Sequence, residues 1–344
     1  MRWLVRADAS VTIGAGHVAR CLTLARQARA HGVQVEFICR ELDGSLLAQI
    51  RADGFAAHAI GPHDDDAAAV RALAAQAPVA WLVVDHYGLD AAWERSVQPA
   101  VQNILVIDDL ANRPHACAAL LDQNFWPDAK ERYRGLVPAD CLQLLGPHYL
   151  LLREEFARAR ASLQRDFSAV RRLLLNFGGA DEPNVTCLAL DAIRPLDLSA
   201  VAVDVVIGAG NPHRAAVQQR LHGLAHARLH VQTSRMAQLI AQADLAIGAC
   251  GSSTWERCFL GLPTVAVVLA DNQREAAAQL HQQGVLANVG DVGPSTAAAL
   301  RDHVAQLMAD PARRAAMSRR AMDIMPAQVT DLAGILLKRG TPPC

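Results

Sequence analysis

Short, nearly continuous apolar runs recur along the chain, each closed by a glycine-rich or polar cluster and followed by apolar residues at helical spacing. Runs of this kind suit strands buried on both faces of a parallel sheet, and the spacing between them suits helices packed on that sheet. In the first half, Trp3-Leu4-Val5, Val35–Cys39, Trp81–Val84 and Ile104–Ile107 are predicted strands. Val18, Cys21, Leu22, Ala25 and Ala28 predict a helix over 17–30, and further helices are expected around Leu46–Ala52 and after His63-Asp64-Asp65-Asp66. Leu120-Leu121-Asp122-Gln123-Asn124 closes this half, an irregular stretch runs through Pro147, and Arg153-Glu154-Glu155-Phe156 opens a helix to about Arg165. The second half repeats the plan, with strands at 173–177, 203–207, 228–231, 245–248 and 264–268, a short amphipathic helix at Met236, Leu239, Ile240 and Ala243, and helices from Ser295 onward. The pattern predicts an α/β chain of two Rossmann-like domains facing across a cleft, with boundaries at 1–152, a hinge at 153–168, and 169–344.

The chemistry concentrates at strand ends. Ile13-Gly14-Ala15-Gly16-His17 lies between the first strand and its helix, where glycines permit close backbone approach and a helix start offers N–H groups to an anion. His17 at that mouth is suited to take a proton from water near neutral pH. The same spacing also fits a plain tight turn capped by His17. Asp85-His86-Tyr87-Gly88 and Asp108-Asp109 mark two more strand ends, where Asp85 and Asp108 equally fit helix caps. In the second half, Gly178-Gly179-Ala180-Asp181 and Gly251-Ser252-Ser253-Thr254 follow strands, and the latter presents hydroxyls and N–H groups suited to a diphosphate without a metal. Glu256 suits a ribose diol, although an acidic residue near a helix start is favoured there in any case.

Composition narrows the partners. Over 344 residues, 52% are hydrophobic against 19% charged, and the formal net charge of −1 provides no field to draw nucleic acid or an anionic membrane. The eight cysteines, Cys21, Cys39, Cys117, Cys141, Cys187, Cys250, Cys258 and Cys344, form no C-x-x-C pair, so reduced core thiols are expected rather than disulfides or a zinc site. The aspartates at 64–66 read as a solvated loop, and Arg313-Arg314 to Arg319-Arg320 as a solvated face. No signal peptide or membrane-length apolar run is expected, which places the chain in the cytoplasm with small-molecule partners. The reading calls for no cofactor and no metal, and a monomer is compatible with it.

Taken together, Arg6-x-Asp8-x-Ser10-x-x-Ile13-Gly14-x-Gly16-His17-x-x-Arg20, Asp85-His86-Tyr87-Gly88, Arg153-Glu154-Glu155-Phe156, Gly178-Gly179-x-Asp181 and Asn272-Gln273 resemble the UDP-sugar hydrolases of pseudaminic acid biosynthesis, from about residue 1 to 285. Those enzymes are similar to MurG-like glycosyltransferases of GT-B fold. The resemblance implies hydrolysis of UDP-2,4-diacetamido-2,4,6-trideoxy-β-L-altropyranose to the free sugar and UDP, with His17 catalytic. It implies that Asp8, Gly14, Gly16, Tyr87, Asn272 and Gln273 meet the substrate. It assigns the nucleotide to Gly178, Gly179, Asp181, Met236, Gly251, Ser252, Ser253, Thr254 and Glu256, with Met236 covering the uracil and Glu256 on the ribose. The segment from about Gly290 is longer than in the shortest relatives and resembles the closing helices of MurG-like proteins. A single displacement by water predicts inversion at the anomeric carbon. A UDP-sugar transferase or epimerase on the same scaffold, or a non-catalytic sugar-nucleotide-binding protein, fits the same residues.

Overall fold

A computed structural model describes residues 1–339; Cys344 lies outside the described residues. The chain divides into two compact units, Met1–Leu152 together with the segment from Val329, and Arg153–Gln328.

The first unit is built on β1 (Arg2–Ala7), α1 (Gly16–Ala30), β2 (Gln34–Arg40), α2 (Leu47–Ala52), β3 (Ala56–Ile60), α3 (Asp66–Ala74), β4 (Trp81–Asp85), α4 (Ala91–Val97), β5 (Asn103–Ile107), β6 (Ala119–Asp122), α5 (Ala129–Arg132) and β7 (Leu142–Leu145). All seven strands are parallel, in the order β3-β2-β1-β4-β5-β6-β7. Alternation along β1 explains why both faces are apolar. Trp3 and Val5 pack with α1 and α2, while Leu4 packs on the other face with Val70 of α3 and Val97 of α4. Two arginines are the exceptions: Arg2 is buried against Glu36 at 2.7 Å, and Arg6 is fully buried and neutralised by Asp8 at 2.5 Å and Asp66 at 2.7 Å. Asp65 caps α3 through the N–H groups of Ala67 and Ala68.

The second unit contains α6 (Glu154–Ala161), β8 (Arg172–Asn176), α7 (Val185–Ile193), β9 (Ala202–Ile207), α8 (Arg214–Leu221), β10 (Ala227–Val231), α9 (Met236–Gln242), β11 (Leu245–Ala249), α10 (Ser253–Phe259), β12 (Thr264–Val268), α11 (Asp271–Gln282), β13 (Ala287–Asp291), α12 (Thr296–Ala309) and α13 (Pro311–Asp323). Its six parallel strands run β10-β9-β8-β11-β12-β13. The last helix, α14 (Leu332–Arg339), buries Leu332, Ala333 and Leu336 in the core of the first unit, although the sequence reading counted the closing helices with the second half.

Two further expectations change. Helix α6 ends at Ala161 instead of Arg165, and Arg165 instead bonds the carbonyls of Ile240, Ala243 and Leu260 where α9 and α10 end. Arg314 does not belong to a solvated face: it is fully buried and bonds the carbonyls of Leu307 and Met308 at the end of α12 and that of Phe167.

Candidate active site

In the first sheet the strand order reverses between β1 and β4, and Ala7 pairs with Asp85 at their carboxyl ends. Open parallel sheets bind ligands just beyond such a switch point. The chain leaving β1 folds into a tight turn. The Gly14 N–H donates to the Ser10 carbonyl at 2.8 Å, and the Ile13 N–H to the Ser10 hydroxyl at 2.9 Å. Gly14 takes φ +79°, a left-handed conformation that favours glycine. Gly16 opens α1 without a left-handed φ, so the conformational demand expected of both glycines falls on Gly14 alone.

The turn delivers His17 into the first turn of α1, 8% exposed. Its Nδ1 lies 2.5 Å from Oδ1 of Asp85. Arg20, one turn later, grips the same carboxylate with Nε on Oδ2 at 2.6 Å and Nη2 on Oδ1 at 2.7 Å, and its Nη1 reaches Asp109 at 3.2 Å. Burial opposes a charge on Asp85, but the Arg20 and His17 charges outweigh it and hold the carboxyl well below the usual aspartate range. An ionised carboxylate only accepts, so a proton sits on Nδ1, and in the neutral form of the imidazole that leaves the lone pair on Nε2. Arg20 Nη2, 3.3 Å from the same Nδ1, is a contact between two donors and leaves that assignment unchanged. The half-buried Tyr87 ring packs edge-on against the imidazole, with centroids 4.7 Å apart. Asp85 is therefore no helix cap; Asp90 caps α4. Asp108 bonds the N–H of Ala111 and the guanidinium of Arg113.

Asp8, expected to meet the substrate, is held within a charged cluster at the end of β1. It is 2% exposed, and its oxygens accept from Arg6 at 2.5 and 2.7 Å and from the Arg40 N–H at 2.6 Å, with His86 Nε2 at 3.5 Å. Burial opposes its charge, yet the His86 and Arg6 contacts win and keep it ionised far below the ordinary range.

In the second sheet the order reverses between β8 and β11. The exposed Gly178 takes φ +93°, and the Gly179 carbonyl accepts from the Gly208 N–H at 2.9 Å. Asp181, expected among the nucleotide ligands, caps α7: Oδ1 and Oδ2 accept from the N–H groups of Val185 and Thr186 at 2.9 and 2.8 Å. Thr254, also expected among the nucleotide ligands, is buried, and its hydroxyl donates to the Ala249 carbonyl at 3.2 Å. Gly251 and Ser253 are half-buried and Ser252 is exposed. A small crevice is lined by Asn176, Met236, Ser253 and Arg257, so Met236 and Ser253 meet there. Glu256, with its side chain 22% exposed, accepts from Arg153 at 3.3 Å, and burial raises its carboxyl against the Arg153 and Arg257 charges. Asn272 is exposed at the start of α11. Gln273 accepts from the Leu269 N–H at 3.1 Å, and its Nε2 lies 3.5 Å from where a β-carbon at Gly251 would sit.

In the sequence Arg20 stands within a motif and Asp85 fits a helix cap equally well; their joint hold on His17 appears only once β1 and β4 are neighbours. Arg257 carried no expectation at all. Among the described residues, no group of three or more His, Cys, Asp or Glu side chains is placed to hold a metal ion, and no helix is long and apolar enough to cross a membrane.

Residues 177–333 match the glycosyltransferase family 28 C-terminal domain. Over 290 residues the chain is 28% identical to the UDP-2,4-diacetamido-2,4,6-trideoxy-beta-L-altropyranose hydrolase of Campylobacter jejuni, a match covering 83% of this chain and 97% of that protein. Over 148 residues it is 31% identical to a spore coat polysaccharide biosynthesis protein of Bacillus subtilis, covering 42% of this chain and 43% of that one. Among solved structures, MurG of Acinetobacter baumannii superposes with a TM-score of 0.67 at 16% identity, covering 98% of this chain and 99% of that one. The chain thus has the two-domain GT-B fold, matches the family 28 glycosyltransferase C-terminal domain over residues 177–333, and resembles the Campylobacter hydrolase along most of its length.

Proposed function

We propose that the protein hydrolyses a UDP-linked diacetamido-trideoxyhexose, UDP-2,4-diacetamido-2,4,6-trideoxy-β-L-altropyranose, to the free sugar and UDP with inversion at the anomeric carbon. The observation that carries this reading is the His17–Asp85–Arg20 arrangement at the β1–β4 switch point. His17 Nε2 accepts a proton from water as the water oxygen bonds to the anomeric carbon and the bond to the diphosphate oxygen breaks. Asp85 holds the tautomer and stabilises the imidazolium that forms, the part a buried carboxylate plays behind a catalytic histidine. Tyr87 and Asn272 position the hexose together with Gln273. Gly178, Gly179, Gly251, Ser252 and Ser253 receive the leaving diphosphate, Glu256 takes the ribose hydroxyls, and Met236 covers the uracil.

The test is proton NMR of the purified protein with this UDP-sugar, no acceptor present, beside His17→Phe and Asp85→Asn. The parent protein is expected to release free sugar and UDP, in excess chelator as well as without it, since no metal enters the reading. His17→Phe is expected to release none. Asp85→Asn is expected to lower kcat about 100- to 10,000-fold, the range for a misoriented general base, with KM nearly unchanged. A parent protein that leaves the substrate intact overturns the hydrolase. The fold supplies a second reading, because solved relatives of similar fold include a UDP-GlcNAc 2-epimerase and rhamnosyltransferases. UDP release only on adding a sugar acceptor, or a new UDP-sugar epimer, would favour it.

A further inference from the structure

Arg257 on α10 is 2% exposed, yet no carboxylate among the described residues lies within ion-pairing distance of it. Its partners are neutral. Nη2 donates to the Ala249 carbonyl at 2.6 Å and to the Thr254 hydroxyl at 3.1 Å, and Nη1 donates to the Ser253 hydroxyl at 3.0 Å. Its Nε is buried with no hydrogen-bond partner. Glu256, next in the chain, pairs with Arg153 instead. The fold makes room for this cation: a β-carbon at Gly248 would sit 2.9 Å from Arg257 Nη1 and 2.5 Å from the Asn176 carbonyl oxygen. A buried charge whose hydrogen-bond partners are all neutral is costly to keep. Burial accordingly lowers the Arg257 pKa, with the nearby thiols and Glu256 opposing it. This cation lies beneath a loop whose Ser252 is exposed, and it lines the same narrow gap as Met236 and Ser253.

We propose that Arg257 is the buried counter-charge of the nucleotide diphosphate, bracing the Ala249–Thr254 loop from beneath and leaving the Ser253 hydroxyl proton to donate to a phosphate oxygen. The proposal rests on the reading of that loop as the diphosphate site. Arg257 acts through the loop and through its field, as a positioning residue. Ser253 accepts from Nη1, so its own proton is directed elsewhere; the Thr254 hydroxyl, which also accepts from Arg257, already donates to Ala249. An anion at the loop therefore meets one oriented hydroxyl backed by a full positive charge.

The test is calorimetric binding of UDP and of uridine to the full chain and to Arg257→Met, Arg257→Lys and Arg257→Gln. The parent protein is expected to bind UDP more tightly than uridine. In Arg257→Met, UDP affinity is expected to fall about 10- to 100-fold, the scale of a lost charge-assisted interaction, while uridine affinity holds. Arg257→Lys is expected to restore part of the preference for UDP. Should the Met variant fail to fold, Arg257→Gln keeps donors without the charge and carries the same comparison. A variant that folds and discriminates UDP from uridine as the parent does overturns the role of Arg257 and leaves the loop reading standing. A parent protein that binds uridine as tightly as UDP overturns the loop reading and the proposal together.

Discussion

Asp122, at the end of β6, is 1% exposed and accepts from the Asn124 N–H at 3.0 Å, from Trp126 Nε1 at 2.8 Å and from the Tyr133 hydroxyl at 3.1 Å. Arg132 Nε stands 3.5 Å away, beyond a firm charged hydrogen bond. Burial, helped by the Asp109 charge, outweighs the Asn124, Trp126 and Tyr133 donors and pushes this carboxyl up to about 7 from an ordinary 3.8. The folded chain thus binds a proton that the unfolded chain releases. Stability from this group is complete below the ordinary aspartate range and is lost as pH rises toward about 7. Asp85 has the opposite sign, since its stabilising ionisation is complete above the ordinary aspartate range and is lost only in strong acid. Between pH 5 and 8 the parent melting temperature should therefore fall relative to that of Asp122→Asn, and parallel curves for the two proteins would refute the elevated carboxyl. His17 is legible in sequence because glycines flank it in a strand-to-helix turn. Asp85 is not, because its role depends on a residue 68 positions away in the chain that comes beside it only when β1 pairs with β4.

Among the elements, most interior strands could be read as unbroken apolar runs, because a parallel strand covered on both faces needs them. Of the four strands that the sequence pattern does not mark, β6 is interior, whereas β3 and β7 flank the first sheet and β13 ends the second. The alanine-rich run of β3 (Ala56–Ile60) and the polar-interrupted Leu142–Leu145 of β7 lack the β-branched continuity of interior strands. The short apolar motifs also hide a division of labour within loops. Asp181 looks like part of a ligand-binding glycine turn, but its left-handed φ of 48° turns both oxygens onto the start of α7. Asp181→Ala should lower the urea midpoint by an amount equivalent to about 1–2 kcal/mol, the worth of a helix cap, with UDP affinity unchanged. A variant of parental stability that loses UDP affinity would return Asp181 to the nucleotide.

At the scale of the whole molecule, the chain passes between its units twice, at 152/153 and at 328/329. The second crossing brings Gln27 and Leu332 together, with the Leu332 N–H donating to Gln27 Oε1 at 3.1 Å, and Thr330 bonds the His148 carbonyl. Removing everything after Gln328 strips Leu332 and Leu336 from the first core, where each buried leucine lost costs about 2–5 kcal/mol. That truncation should lower or abolish the melting transition of the first unit while the second still binds UDP, and two transitions at parental temperatures would show that α14 is dispensable. The same crossing orders the birth of the protein. The segment carrying His17 is translated ahead of the whole second unit, yet its core waits for α14, which is translated after that unit. On the proposed function, the second unit is complete enough to hold a nucleotide before the first has its full core, and a stop shortly before α14 is expected to yield a chain that binds UDP without hydrolysing it.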